Sequence, residues 1–162
     1  MVLPLRLTAA DYRGVPAGDQ MGEHAGLGGD EWRTLQFAPF WMLAAVAGAY
    51  SGYDTLEFEA FTRSVGLAAA APGRLTQELM TSVATDLERL AAQFAVDGRT
   101  IGSGLCAVAA ILSKVPPEEA ELLKTALVSE IGEGVARARG RFGRLVSDED
   151  AKNLELVAEF LA

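Results

Sequence analysis

Three groups of side chains in this chain have the types and spacing to do chemistry. Asp54, Glu57 and Glu59 crowd one short stretch, and Asp148, Glu149 and Asp150 crowd another. Carboxylates grouped beside a turn hold Ca2+ or Mg2+ through oxygen, and Asp54, Glu57, Asp148 and Asp150 are the candidate ligands. The same residues also suit a structural role. Asp54 with Glu57, and Ser147 with Asp150, have the spacing of an N-cap and its capping-box acid. The third group, Arg137, Arg139, Arg141 and Arg144, is the only basic cluster. Its guanidinium forks could grip a phosphate or a partner's carboxylates. They serve equally to oppose a helix dipole and to pair with Asp148 and Glu149.

Other chemistries lack parts. A single histidine, His24, excludes multi-histidine metal sites and makes a Ser–His–Asp or Cys–His pair improbable. The run Gly102-Ser103-Gly104 lacks the Gly-Lys-Ser/Thr ending of a phosphate loop, and no strand pattern precedes it. One cysteine, Cys106, allows no internal disulfide, which fits a reducing, cytoplasmic setting. It lies in the apolar run Leu105-Cys106-Ala107-Val108, so a buried structural thiol is expected. No paired general acid and base is visible, so the chain reads as a non-enzyme. An enzyme assembled only in the fold would need Arg137 or Arg141 brought against a carboxylate and Ser103. A formal charge of −8 disfavours nucleic acid and anionic lipid.

The elements that would position these groups are helical. The 162 residues, half of them apolar, suit one domain with a sizeable core. Residues 1–29 read as an irregular arm rich in Gly and Pro, with Leu3, Leu5 and Leu7 alternating. Met1 to Ala10 lacks a basic start followed by a long apolar stretch, so no secretory leader is expected. The domain spans 30–162 as an all-α bundle of about six helices. Asp30 caps the first, whose apolar face begins at Trp32 and Leu35. Thr34 to Tyr53 carries no charge, but its Gln, Pro, Gly and Ser residues mark a buried central helix rather than a membrane span. Pro39 is expected to kink or restart it.

The second helix follows Asp54, with Phe58, Phe61 and Val65 inward. The third carries the stripe Leu75, Leu79, Val83, Leu87, Leu90 and Phe94, stopping near Asp97-Gly98. The fourth, Thr100 to Lys114, is apolar almost all round and is therefore placed in the middle of the bundle. Its small face, Gly102, Cys106 and Ala110, would let a neighbour approach closely. Pro117 opens the fifth, with Leu123, Leu127, Ile131 and Val135 inward. Leu154, Val157, Ala158 and Leu161 face inward in the last.

Two stretches together resemble the TerB-like domain family, which includes tellurite-resistance proteins and N-terminal regions of some membrane-anchored J-domain co-chaperones. They are Ala45 to Glu57, and Val135 to Gly140 with Val146 to Asp150 and the closing helix. The family pattern is a helix ending in Ala-Asp-Gly, a short turn, then a helix opening with an acid, occurring twice in an all-helical domain. The resemblance covers 32–162. It implies a compact helical module and, through the acidic turn residues, divalent-metal binding in stress response. This chain departs at those residues. Tyr50 and Arg139 stand where the family has Asp, and Ser51 replaces the first Gly. Glu57 and Asp150 match the opening acids. The substitutions remove one carboxylate per copy, and Arg139 adds a positive charge where a cation would sit.

The expected function is therefore a non-enzymatic interaction module, a scaffold or adaptor working with a protein partner or in a homo-oligomer. Any membrane association would run through a partner. Trp32, Trp41, Tyr50 and Tyr53 are the expected interface anchors, with Arg137, Arg139, Arg141 and Arg144 as polar contacts. The alternative is a divalent-metal-binding stress protein of the tellurite-resistance type.

Overall fold

The structure is a computed structural model that describes residues 26–47, 55–139 and 148–162. These residues are all-α, with no strand among them. The helices are α1 (Gly29–Ala47), α2 (Thr55–Ala68), α3 (Arg74–Thr85), α4 (Leu87–Ala95), α5 (Ile101–Leu112), α6 (Pro117–Thr125), α7 (Glu133–Arg139) and α8 (Asp148–Leu161). A π-helical segment, Ala126–Gly132, joins α6 to α7 without interruption. Counting α3 with α4, and α6 through α7, as single bent or continuous rods gives the six-helix bundle that the apolar stripes predict.

The centre of the bundle is α1. Every residue from Thr34 to Ala44 is buried, and α2, α3, α4, α5, α7, α8 and the π segment all pack on it. A helix buried all round needs apolar residues all round, and this one has them from Leu35 to Ala47 except Gln36. Gln36 finds a partner by donating to Ser82 Oγ at 3.3 Å, which answers the cost of burying its amide. The helix runs through Pro39 rather than restarting there. No helix among the described residues is long and apolar enough to cross a membrane.

α1 is the buried central helix that its uncharged sequence from Thr34 onward predicts, whereas α5, whose all-round apolar pattern also places it in the middle, is a correction. It lies on the outside, with Leu105, Val108, Ile111 and Leu112 turned inward and Ser103, Cys106 and Ala110 exposed. Small residues keep hydropathy high without needing burial, so an all-round apolar pattern overstates how enclosed such a helix is. Cys106 is exposed for the same reason, contrary to the buried thiol expected. On α8, Leu154, Val157 and Leu161 are buried as expected, but Ala158 is exposed.

The third helix of the sequence pattern breaks. Asp86 ends α3 with φ −111° and ψ 27°, and α4 starts at Leu87. The break turns Phe94 toward α1. Further back, α3 begins after Gly73, whose φ of +107° suits glycine and leaves no side chain to cap the helix. The cap comes from elsewhere. Glu119 in the first turn of α6 accepts from Leu75 N–H at 2.8 Å, satisfying one orphan donor and bringing negative charge to the positive helix end. Glu119→Ala is expected to cost about 1 kcal/mol in urea unfolding, the usual worth of a side-chain cap. A change below about 0.3 kcal/mol would show that water serves that N–H equally well.

Candidate functional site

Phe94 is the hub of an aromatic cluster where α1 meets α4. Its ring stacks on Phe40 at 5.4 Å and meets Phe37 and Trp41 edge-on at 5.6 and 5.8 Å. Phe40 in turn packs on Phe61 at 5.2 Å, and Phe61 on Phe58 at 6.0 Å. Such offset and edge arrangements align ring quadrupoles and add to the burial itself.

The cluster does not close over. Phe40, Trp41, Phe58 and Phe94 floor a groove of about 850 Å³, walled by Ala44, Ala91, Ala95 and the start of α5. That volume lies within the range of ligand and peptide pockets. Its small wall residues leave the space; larger ones at Ala91 or Ala95 would fill it. The rim carries exposed apolar surface. Val96, between two lining residues, is 85% exposed, and the 44% exposed Phe160 ring lies against Gly102, where an added Cβ would sit 3.3 Å from it.

One polar group completes the rim, the turn Asp97-Gly98-Arg99. The Arg99 guanidinium lies 4.9 Å over the Trp41 ring, a cation–π placement. Its Nε and Nη2 donate to the Asp97 carboxylate at 3.0 Å, and Nη1 to Thr34 Oγ1 at 3.2 Å. Arg99 N–H also donates to Asp97 at 3.0 Å. The arginine is thus neutralised and fixed, a wall rather than an anion receptor. Thr100 caps α5 by accepting from Ser103 N–H at 3.1 Å, which holds the rim in register with the helix.

The ion pairs between described side chains are mostly local, two to four residues apart, with Lys114–Glu31 the exception. The Arg99 side chain holds the Asp97 carboxyl below its ordinary range, burial opposes this, and the Arg99 N–H adds to the lowering. Lys114 likewise lowers Glu31, helped by Gly28 N–H, and ties the start of α1 to the end of α5. Both groups are depressed in the folded chain, so the unfolded chain binds protons first as the pH falls. Their stabilisation is complete above the ordinary values of 4.5 and 3.8 and is lost as pH drops through the lower folded values. The thermal midpoint is expected to fall below about pH 4.5, and to fall less steeply in Asp97→Asn. An identical acid slope in the variant would remove Asp97 from this account.

Trp32 and Trp41 are 8% and 1% exposed, so neither is the exposed anchor expected; both belong to the central helix, and Trp41 reaches the surface only as groove floor. Tyr50, Tyr53, Asp54, Arg141 and Arg144 lie outside the described residues, as do the side chain of Arg139 and the arm up to residue 25. Arg137 is exposed and donates to Glu133 at 3.0 Å, one turn back. Glu57 is half-buried in the first turn of α2; Asp148 is exposed and Asp150 is buried at the start of α8. No group of three or more His, Cys, Asp or Glu side chains placed to hold a metal occurs among the described residues. The groove itself was not foreseen. Its signal was present in Phe58 and Phe94, which stand at the ends of two apolar stripes, where a stripe most easily runs out of core to enter.

Compared with protein-family models, with curated proteins and with solved structures, the chain matches none of them.

Proposed function

We propose that this chain is a non-enzymatic helical interaction module, a scaffold or adaptor subunit, that receives its partner in the aromatic groove between α1, α2, α4 and the start of α5. The observation that carries the proposal is the groove: a fixed aromatic floor beside exposed Val96 and Phe160. Apolar surface gathered around a preformed concavity marks interaction sites, because leaving it in water is unfavourable. Aromatic rings there act as anchors with little rotamer entropy to lose. The likeness to TerB-like domains belongs to this proposal and bears on the fold rather than on metal binding, since Tyr50 and Arg139 replace its turn carboxylates. A cytoplasmic place of action is part of it too.

The test is recovery of the full chain from its own cell lysate, alone and as Val96→Asp with Phe160→Asp. Both side chains are exposed, so folding should change little. A defined partner held by the wild type and lost by the double variant would support the proposal. Equal recovery with both, or a bare monomer from the wild type, would overturn it.

A further inference from the structure

The chain enters the bundle beside the groove. Leu27 is 4% exposed and packs in the core, so the chain is pinned there before α1 begins. Arg99 ties this entry point to the groove. It lines the groove, covers Trp41 and donates to Thr34 Oγ1. Thr34 and Trp41 stand seven positions apart, two turns along one face of α1. From Gly28, Thr34 is about 9 Å along the helix axis and Trp41 about 20 Å. The segment that precedes Gly26 therefore starts a short distance from an open apolar floor.

That segment carries one concentrated apolar stretch. Val2, Leu3, Leu5 and Leu7 stand within six positions, whereas Tyr12, Val15 and Met21 are the only large apolar residues from Asp11 to Gly26. In extended backbone, which Pro4 favours, Leu3, Leu5 and Leu7 share a face and Pro4 and Arg6 take the other. Leu7 lies 19 positions before Gly26. A coil of that length containing Gly14, Gly18 and Gly22 has an r.m.s. span of about 25 Å, close to the ~20 Å from the start of α1 to Trp41. A tether matched to its span raises the local concentration to the order of millimolar. An occupant from a second copy or another protein starts without that advantage. We propose that residues 2–7 occupy the groove in cis, Leu3, Leu5 and Leu7 against Phe40, Trp41, Phe58 and Phe94, and that a partner binds by displacing them. The displacement rests on the groove being the partner site; the contact in cis does not.

The experiment compares the full chain with its full-length Leu3→Ser, Leu5→Ser, Leu7→Ser variant. The probe, added in trans, is a synthetic labelled peptide of the sequence Met1–Ala10, titrated to the millimolar range. Binding is followed by fluorescence anisotropy, with far-UV circular dichroism as the folding control. The peptide is expected to bind the triple variant about tenfold more tightly than the wild type, the ratio that follows when about one wild-type groove in ten is open. Ala95→Phe, a substitution at an exposed wall position that fills the groove, is expected to abolish that binding in the triple-variant background. Equal binding to the wild type and the triple variant would overturn the contact in cis while leaving the groove open to a partner. Binding to neither, or binding that Ala95→Phe leaves unchanged, would also overturn it, and the partner reading would then stand or fall on the lysate recovery. A wild-type dimer that the triple variant dissolves would place the segment in the groove of a second copy and overturn occupancy in cis.

Discussion

Gly104→Ala is expected to lower the unfolding free energy by about 3 kcal/mol, the upper end for overpacking one methyl into a core. A Cβ at this position would lie 2.1 to 2.5 Å from three carbons of the Trp41 indole. The ring has no room to yield. It is 1% exposed, edged by Phe37 and Phe94, and covered by the Arg99 guanidinium. Relief must come from separating α1 and α5, the most extensive helix pair in the bundle. Gly66 supplies the control. It sits in α2 with nothing within 4 Å of its would-be Cβ, so Gly66→Ala should raise stability by about 0.5 to 1 kcal/mol through helix propensity alone. Urea unfolding followed by far-UV circular dichroism reads both. The same chemical change should carry opposite signs at the two sites, and a Gly104→Ala effect under about 1 kcal/mol would mean that the helices adjust freely.

Gly104 also shows where sequence patterning stops. Within Gly102-Ser103-Gly104 it has no local motif to account for it, and its reason is the close approach of an indole 63 positions earlier in the chain. Local signals were legible because local physics sets them. Thr100 caps α5, Pro117 opens α6, and Leu75, Leu79, Val83 and Leu90 are buried as their spacing requires. Signals that depend on distant partners were not. The cap on α3 comes from Glu119, 44 residues away. The π segment continues the apolar spacing of α6, so nothing local announces it. α5 reads as central because hydropathy weighs Gly, Ala and Cys as apolar but cannot say which way they point.

The groove was illegible for a related reason. An aromatic side chain at the end of a stripe has the same pattern whether it closes a core or floors an opening. What decides is the size of the residues opposite it. Here they are Ala44, Ala91 and Ala95, each a good helix former and each too small to fill the gap. The rim charges follow the same logic. Arg99 looks available in the sequence, yet Asp97 two residues earlier accepts its fork and its N–H together. A site is thus made as much by which groups are already satisfied as by which are present.

Trp41→Ala is expected to cost about 3 to 5 kcal/mol, the range for removing a buried aromatic side chain. That is a large share of a domain's typical net stability of about 5 to 15 kcal/mol. The indole contacts two rings and a guanidinium and fills the space that Gly104 leaves open. The more telling quantity is the coupling between the two positions. With the indole gone, a methyl at position 104 has nothing to strike and gains alanine's helix propensity, so Gly104→Ala should become neutral or mildly stabilising in the Trp41→Ala background. The double-mutant cycle should return an interaction of about 3 kcal/mol, far outside the additivity of independent sites. Trp41→Phe, expected to cost less, carries the same cycle where the alanine variant is too unstable to measure. Additivity within about 0.5 kcal/mol would show that the glycine and the indole do not constrain each other. The cycle bears on function because the same indole floors the groove. Gly104 is what lets α5 press close against Trp41, so the pair sets the part of the groove floor on which Phe40 and Phe94 pack.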